Sequence, residues 1–192
     1  LLQPGRDLAG DIVIADIGIP DHVLDVISPS AFINGPRLWR TGYPWPAATA
    51  NKYDRGHAVI VGGSVMTGAA RLVARGARRV GAGLVTIASP PAAVATYASD
   101  WPGTMVSAVA DTAALTHMLE DHRLNAIAIG PGAGIDDNTR AGVLACLASG
   151  RSCVVDADGL SVFCDHADDL FSAIGTSCVL TPHEGEFSRL FS

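Results

Sequence analysis

No apolar run in this chain approaches the ~18 residues that a membrane-spanning helix needs. No signal-peptide pattern is visible either, so the expected location is cytoplasmic, with no membrane partner. Charge is scarce: 17% of residues are charged and the net charge is −6. No basic stripe is present to neutralise phosphates, which argues against a nucleic-acid partner. Cysteine is sparse too. Cys146, Cys153, Cys164 and Cys178 form no C-x-x-C pair and sit in apolar stretches. They are expected to be buried, reduced thiols rather than zinc ligands or disulfides. One further absence is local. VGGSVMTGAA (61–70) has Gly63 and Gly68 at P-loop spacing, but Ala69 and Ala70 stand where that motif needs Lys and Ser/Thr. Nothing there can reach a terminal phosphate or hold Mg²⁺ in the P-loop manner.

What is present points to an α/β class. Hydrophobic residues make up 48% of the 192, with 21 glycines, a composition suited to parallel strands covered on both faces. Short apolar runs recur at 57–62, 84–88, 124–130, 152–157 and 176–181, with another at Met105–Val109. Helical patterns lie between them at 67–80, 92–99, 112–121, 137–149 and 159–172, and a last one starts at His183. Asp111 or Thr112 is the expected N-cap of the helix near 112. This alternation predicts a mainly parallel, doubly wound sheet. Asp11–Pro20 reads as a separate strand, and the proline-interrupted stretch 21–50 as a linker. Arg71, Arg75, Arg78 and Arg79 recur at helical spacing. A solvated helix face is preferred there over an anion site.

In an open parallel sheet, ligands bind beyond the carboxyl ends of the strands. Four stretches follow strands directly. Gly62-Gly63-Ser64 allows close backbone approach, although a plain tight turn also explains it. The fingerprint of a dinucleotide loop fits poorly, because the next strand ends without the acidic residue that holds a ribose. Gly130-Pro131-Gly132-Ala133-Gly134 could aim several N–H groups at an anion or polar ligand. The paired carboxylates Asp156 and Asp158 could bond a polar ligand or hold Mg²⁺ through water; a helix N-cap is preferred for Asp158 and a ligand role for Asp156. His183 can donate or accept near neutral pH or serve as a structural cap. Glu186 in the same first turn suits the helix dipole in either case.

Several strings, in order, resemble the NAD(P)H-hydrate dehydratases. They are NKYDRGH before VIVGGSVMTGAA, then VGAGLVTIASP, GPGAG, VVDADGLSVF and LTPHEGEFSRLF, over residues 51–192. The resemblance implies a ribokinase-like fold, here expected to be cut before its C-terminal part. It implies ADP, or ATP, as phosphoryl donor with Mg²⁺, and hydrated NADH or NADPH (NADHX, NADPHX) as substrate. It also implies a homo-oligomer. Ala69, Gly132 and His183 match the family's substrate contacts, with Gly63, Ser64, Gly134, Asp156 and Glu186 as supporting pocket candidates. The family's catalytic Asp belongs to a G-G-x-G-D segment, expected beyond residue 192, so the 192-residue piece is expected to be inactive. Ser161 stands where the family often has Asn, a change of one possible pocket hydrogen bond. GRDLAGDIVIADIGIP resembles the closing strand of an NAD(P)H-hydrate epimerase domain. The implied organisation is therefore an epimerase tail at 1–20, a linker at 21–50 and the first part of the dehydratase at 51–192. Two other readings stay open: a ribokinase-like kinase for a small vitamin precursor, and an inactive substrate-binding module.

Overall fold

The computed structural model describes residues 5–175 and 177–191, and the chain divides into two units after Trp45. Among its described residues the first unit holds three short helices, α1 (Gly5–Leu8), α2 (His22–Ile27) and α3 (Pro36–Trp39). Pro36 opens α3, where its missing N–H costs nothing. The strand expected at Asp11–Pro20 does not form. These residues are exposed and enter no ladder, because a strand exists only through a hydrogen-bonding neighbour.

The second unit is an α/β layer structure. Six strands, β1 (His57–Val61), β2 (Leu84–Ser89), β3 (Met105–Ala108), β4 (Ala126–Ile129), β5 (Ser152–Val155) and β6 (Cys178–Leu180), pair in the order β3-β2-β1-β4-β5-β6. Every pairing is parallel. The helices α4 (Thr67–Val80), α5 (Val94–Ala98), α6 (Thr112–Met118), α7 (Asp137–Ala148), α8 (Asp158–Ser161), α9 (Ala167–Ala173) and α10 (Glu184–Phe191) complete the unit. The strand expected at 176–181 begins on Thr176, which lies outside the described residues. Among the described residues no helix is long and apolar enough to cross a membrane.

Side chains alternate across a strand, and the two core clusters follow that alternation. Val59, Ile127, Ile129 and Val155 pack into one cluster with Leu115, Val143 and Phe163. Ile60, Val85 and Ile87 pack into the other with Ala70 and Ala74 of α4 and Tyr97 of α5. The sheet is therefore covered on both faces, as the near-continuous apolar strands predict. Burying each Val, Ile or Leu side chain contributes about 1.5–3 kcal/mol.

Local differences from the expected elements have tertiary causes. The helix expected at 159–172 is two helices, α8 and α9, because the chain turns at 162–166 while Phe163 and Leu170 are both fully buried. Cys146 and Cys153 are buried as expected, but Cys164 and Cys178 are half-buried, and all four thiols are free. Burial pushes the Cys153 thiol up to about 12, so it stays protonated and unreactive at neutral pH. The arginines of α4 are not a simple solvated face. Arg71 and Arg75 both bond Asp100, and Arg78 bonds the Gly103 carbonyl.

The chain order reverses at β1: it runs outward through β2 and β3, then returns to place β4 on the other side. Such a switch point leaves a crevice between the two central strand ends. The loops after β1 and β4 meet there.

Candidate functional site

The loop after β1 contains Gly62, Gly63 and Ser64, and the loop after β4 contains Gly130–Gly134. They touch at backbone level. A Cβ on Gly63 would lie 1.7 Å from the Gly132 carbonyl oxygen. Gly132 has φ +72°, and a Cβ there would meet the Met66 carbonyl at 2.5 Å. Only glycine fits both the conformation and the space. A third loop joins them: a Cβ on Gly130 would lie 1.9 Å from the Asp156 carbonyl oxygen.

Asp158 ties these loops together. Its carboxylate accepts the Gly134 N–H at 2.9 Å, whereas the sequence favoured an N-cap role. The helix-cap position belongs instead to Ala157, which lies at φ 49° with no side-chain bond. A non-glycine residue at that φ is strained and is held by its surroundings. The Asp156 backbone is likewise committed, its N–H to the Ile129 carbonyl and its own carbonyl to the Gly159 N–H.

The GPGAG loop offers fewer donors than its sequence suggests. The Ala133 N–H bonds the Gly130 carbonyl, the Gly134 N–H goes to Asp158, and Pro131 has none. Among the described residues, that leaves the Gly132 N–H free to meet a ligand within Pro131–Gly134.

Beside the contact lies a cavity of about 240 Å³, lined by Gly62–Ser64, the segment from Val109 into the start of α6, and the start of α7. Asp111 and Asp136 line it while capping α6 and α7, accepting the Ala114 and Thr139 N–H groups at 2.8 Å each. Its floor is fixed by Thr139, 5% exposed, whose hydroxyl donates to the Ala133 carbonyl at 3.2 Å. Tyr97, 1% exposed, holds the other side by donating its hydroxyl to the Gly63 carbonyl at 2.7 Å. Burial raises the Tyr97 pKa, so the hydroxyl keeps the proton that it donates.

Of the residues singled out in the sequence, Gly63 and Ser64 line this cavity. Gly132, Gly134 and Asp156 stand in the loops joined to it. Ala69 is half-buried in the first turn of α4, which follows the Gly62–Ser64 loop. His183 and Glu186 do not line it. They lie at the end of β6, three strands from β1 in the same sheet, which is about 14 Å at the usual strand spacing. Their helix α10 packs against α8, the helix that begins with Asp158.

His183 and Glu186 form a capping box. The His183 Nδ1 accepts the Gly185 N–H at 3.0 Å and the Glu186 N–H at 3.3 Å. Glu186, 6% exposed, returns its carboxylate to the His183 N–H at 2.9 Å. This is the reciprocal pattern usually made by Ser/Thr with Glu. Because Nδ1 accepts, the proton of the neutral ring sits on Nε2. The His183 side chain is 67% exposed, and Nε2 is 3.4 Å from a Glu186 oxygen, so that N–H can turn to a ligand.

Sequence reasoning missed Tyr97, Thr139 and the loop-holding role of Asp158. Asp136 carried a signal, since Asp directly before a helical pattern marks an N-cap, whereas Thr139 and Tyr97 carried none. Among the described residues no three His, Cys, Asp or Glu side chains gather as a metal centre requires.

Comparison with known proteins yields a consistent set. Residues 58–192 match the family model for NAD(P)H-hydrate dehydratase. The chain is 31% identical to the bifunctional NAD(P)H-hydrate repair enzyme Nnr of Dictyoglomus turgidum, over 96% of this chain and 38% of that protein. It therefore spans well under half the length of that relative. A ribokinase-like superfamily protein from Enterococcus faecalis superposes with a TM-score of 0.65 at 26% identity, over 76% of this chain and 51% of that one. An ADP/ATP-dependent NAD(P)H-hydrate dehydratase from Bacillus subtilis, co-crystallised with ATP and Mg²⁺, gives a TM-score of 0.59 at 24% identity. It covers 77% of this chain and 51% of that one.

Proposed function

Because this chain belongs to the NAD(P)H-hydrate dehydratase family, we propose that it forms the substrate-holding part of a lyase that repairs hydrated NADH and NADPH. The observation that carries the proposal is the junction of the Gly63, Gly132 and Asp156–Asp158 loops at the switch point of the sheet.

The chemistry suits such a site. The damaged nicotinamide ring carries an added hydroxyl, and hydroxide leaves poorly. Phosphoryl transfer from ADP to that oxygen yields AMP and a phosphate ester. Loss of phosphate and of the adjacent ring proton then restores the double bond. Little covalent work falls to the protein, so positioning and charge neutralisation dominate. In this reading the glycines let the loops close on one another and so shape the rim on which the dinucleotide lies, and the Gly132 N–H donates to it. Ala69 leaves room beside them. The Nε2–H of His183 binds a further part of the molecule along the same edge.

Mg²⁺ would accompany the phosphoryl donor. Among the described residues no group of three or more His, Cys, Asp or Glu side chains gathers as a cation site, and no residue is assigned to it. The resemblance assigns the catalytic aspartate to a G-G-x-G-D segment, which these 192 residues do not contain. The proposal therefore places catalysis in a longer protein, with residues 1–20 as the end of a fused epimerase domain and 21–50 as the linker. The assembly is proposed to be a cytoplasmic homo-oligomer.

The test is direct. The longer protein, given hydrated NADH with ADP and Mg²⁺, regenerates the near-ultraviolet absorbance of reduced nicotinamide, while the 192-residue piece binds the hydrate without turning it over. Full turnover by the piece alone would disprove the placement of the catalytic carboxylate. A longer protein unable to bind or convert the hydrate would overturn the proposal itself.

A further inference from the structure

The arginine cluster of α4 is not used by the reaction proposed above. Arg75, Arg78 and Arg79 together with Trp101 wall a separate cavity of about 220 Å³. Two of its guanidinium groups, those of Arg75 and Arg78, are positioned rather than loose. Arg75 shares Asp100 with Arg71, and Arg78 is tied to the Gly103 carbonyl. Asp100 has a side chain only 8% exposed, and hydrogen bonds from Arg71 and then Arg75 pull its pKa down to about 2. It therefore remains a fixed anchor at any physiological pH. One carboxylate against four guanidinium groups leaves this corner positive, on a chain of net charge −6.

Trp101 supplies the second element. It is 53% exposed. The Arg78 guanidinium and the Trp101 indole Nε1 lie 2.8 and 2.9 Å from one point, the Cβ position that Gly103 lacks. The Nε1 edge of an exposed indole thus lies beside a held guanidinium, and the same indole walls the cavity. Arg79 is exposed and makes no ion pair among the described residues.

We propose that this cavity is a second binding site, for a nucleoside phosphate, with the phosphate on Arg75 and Arg79 and the base stacked on Trp101. Guanidinium forks match phosphate oxygens, and nucleobases stack on aromatic side chains. An inorganic anion would leave Trp101 unused. The site is distinct from the glycine-loop crevice. Helix α4 runs from the end of β1 back to the start of β2, so Arg79 sits about 18 Å along the helix from Thr67, at the opposite edge of the sheet.

The experiment uses the full chain with Trp39 and Trp45 replaced by Phe, which leaves Trp101 as its sole indole among the original 3. ADP, NAD and pyrophosphate are titrated separately while indole fluorescence is followed. Saturable quenching is expected with ADP or NAD, whichever is the source of the nucleoside phosphate. Arg79→Ala should weaken it about tenfold or more without changing the melting temperature, and pyrophosphate should bind about tenfold more weakly than the nucleotide. Three outcomes overturn the proposal: no quenching by either nucleotide, quenching unmoved by Arg79→Ala, or pyrophosphate binding as tightly as ADP. Hydrate turnover is measured apart from this, so failure here leaves the main functional reading untouched.

Discussion

The carbonyl oxygen of Gly132 occupies the place that a side chain on Gly63 would need, 1.7 Å from its Cβ position. Two loops from neighbouring strands thus pack with no side chain between them. Gly63→Ala must push them apart, and the expected cost is about 1–3 kcal/mol, together with loss of hydrate binding. Gly76→Ala is the matched control. Gly76 lies inside α4 with nothing near its Cβ position, so alanine should stabilise by about 0.5–1 kcal/mol. Thermal melts of both variants check the pair. A Gly63→Ala protein as stable as the parent would mean the loops do not close as described.

Tyr97→Phe isolates the support beneath the same loop. It removes one buried hydrogen bond, to the Gly63 carbonyl, and leaves that carbonyl without its partner. The expected destabilisation is about 1 kcal/mol, or roughly 3 °C in melting temperature for a unit of this size. If the loop is held for binding, hydrate affinity should fall as well. Unchanged stability and affinity would remove Tyr97 from any role at the site.

The sheet was legible because it is written locally. Each strand is a short apolar run and each crossover a helical pattern, so the alternation carried the fold class and the strand ends carried Gly63, Gly132 and Asp156. What was not legible depends on partners distant in sequence. Asp158 opens a helix and so reads as a cap, but Gly134, 24 residues earlier, claims its carboxylate. Arg71 and Arg75 read as solvent-facing because Asp100 lies 29 and 25 residues away. Tyr97 sits in a five-residue helix and looks like any core aromatic until its hydroxyl is traced to Gly63. Asp11–Pro20 has the local pattern of a strand, yet strand formation needs a neighbour that the sequence pattern cannot supply.

A pH dependence follows from His57, the first residue of β1. Its Nε2 lies 2.7 Å from the Thr86 hydroxyl. Burial lowers its pKa below the ordinary 6.5, with Asp121 opposing and Arg123 adding to that effect. The unfolded chain therefore takes up a proton that the folded ring resists. Stability should fall as pH drops through about 6.5 and continue falling until the folded ring also titrates. His57→Gln should flatten this slope in melts between neutral and mildly acidic pH. A slope identical in parent and variant would assign the acid sensitivity to other groups.

His183 carries two roles that a pair of substitutions can separate. Its Nδ1 caps α10 through the Gly185 and Glu186 N–H groups, and its Nε2–H is the group proposed to face the substrate. Alanine removes both, and loss of the cap should cost about 1 kcal/mol. Asparagine is a strong N-cap residue whose side-chain oxygen can accept the same N–H groups, but it has nothing equivalent to Nε2–H beyond them. His183→Asn should therefore recover most of the stability lost in His183→Ala while hydrate affinity stays low in both. Melting curves read the first effect and equilibrium titration with the hydrate the second. If His183→Asn restores binding along with stability, the imidazole acts only through the helix it caps. The reaching group along that edge would then have to be sought elsewhere.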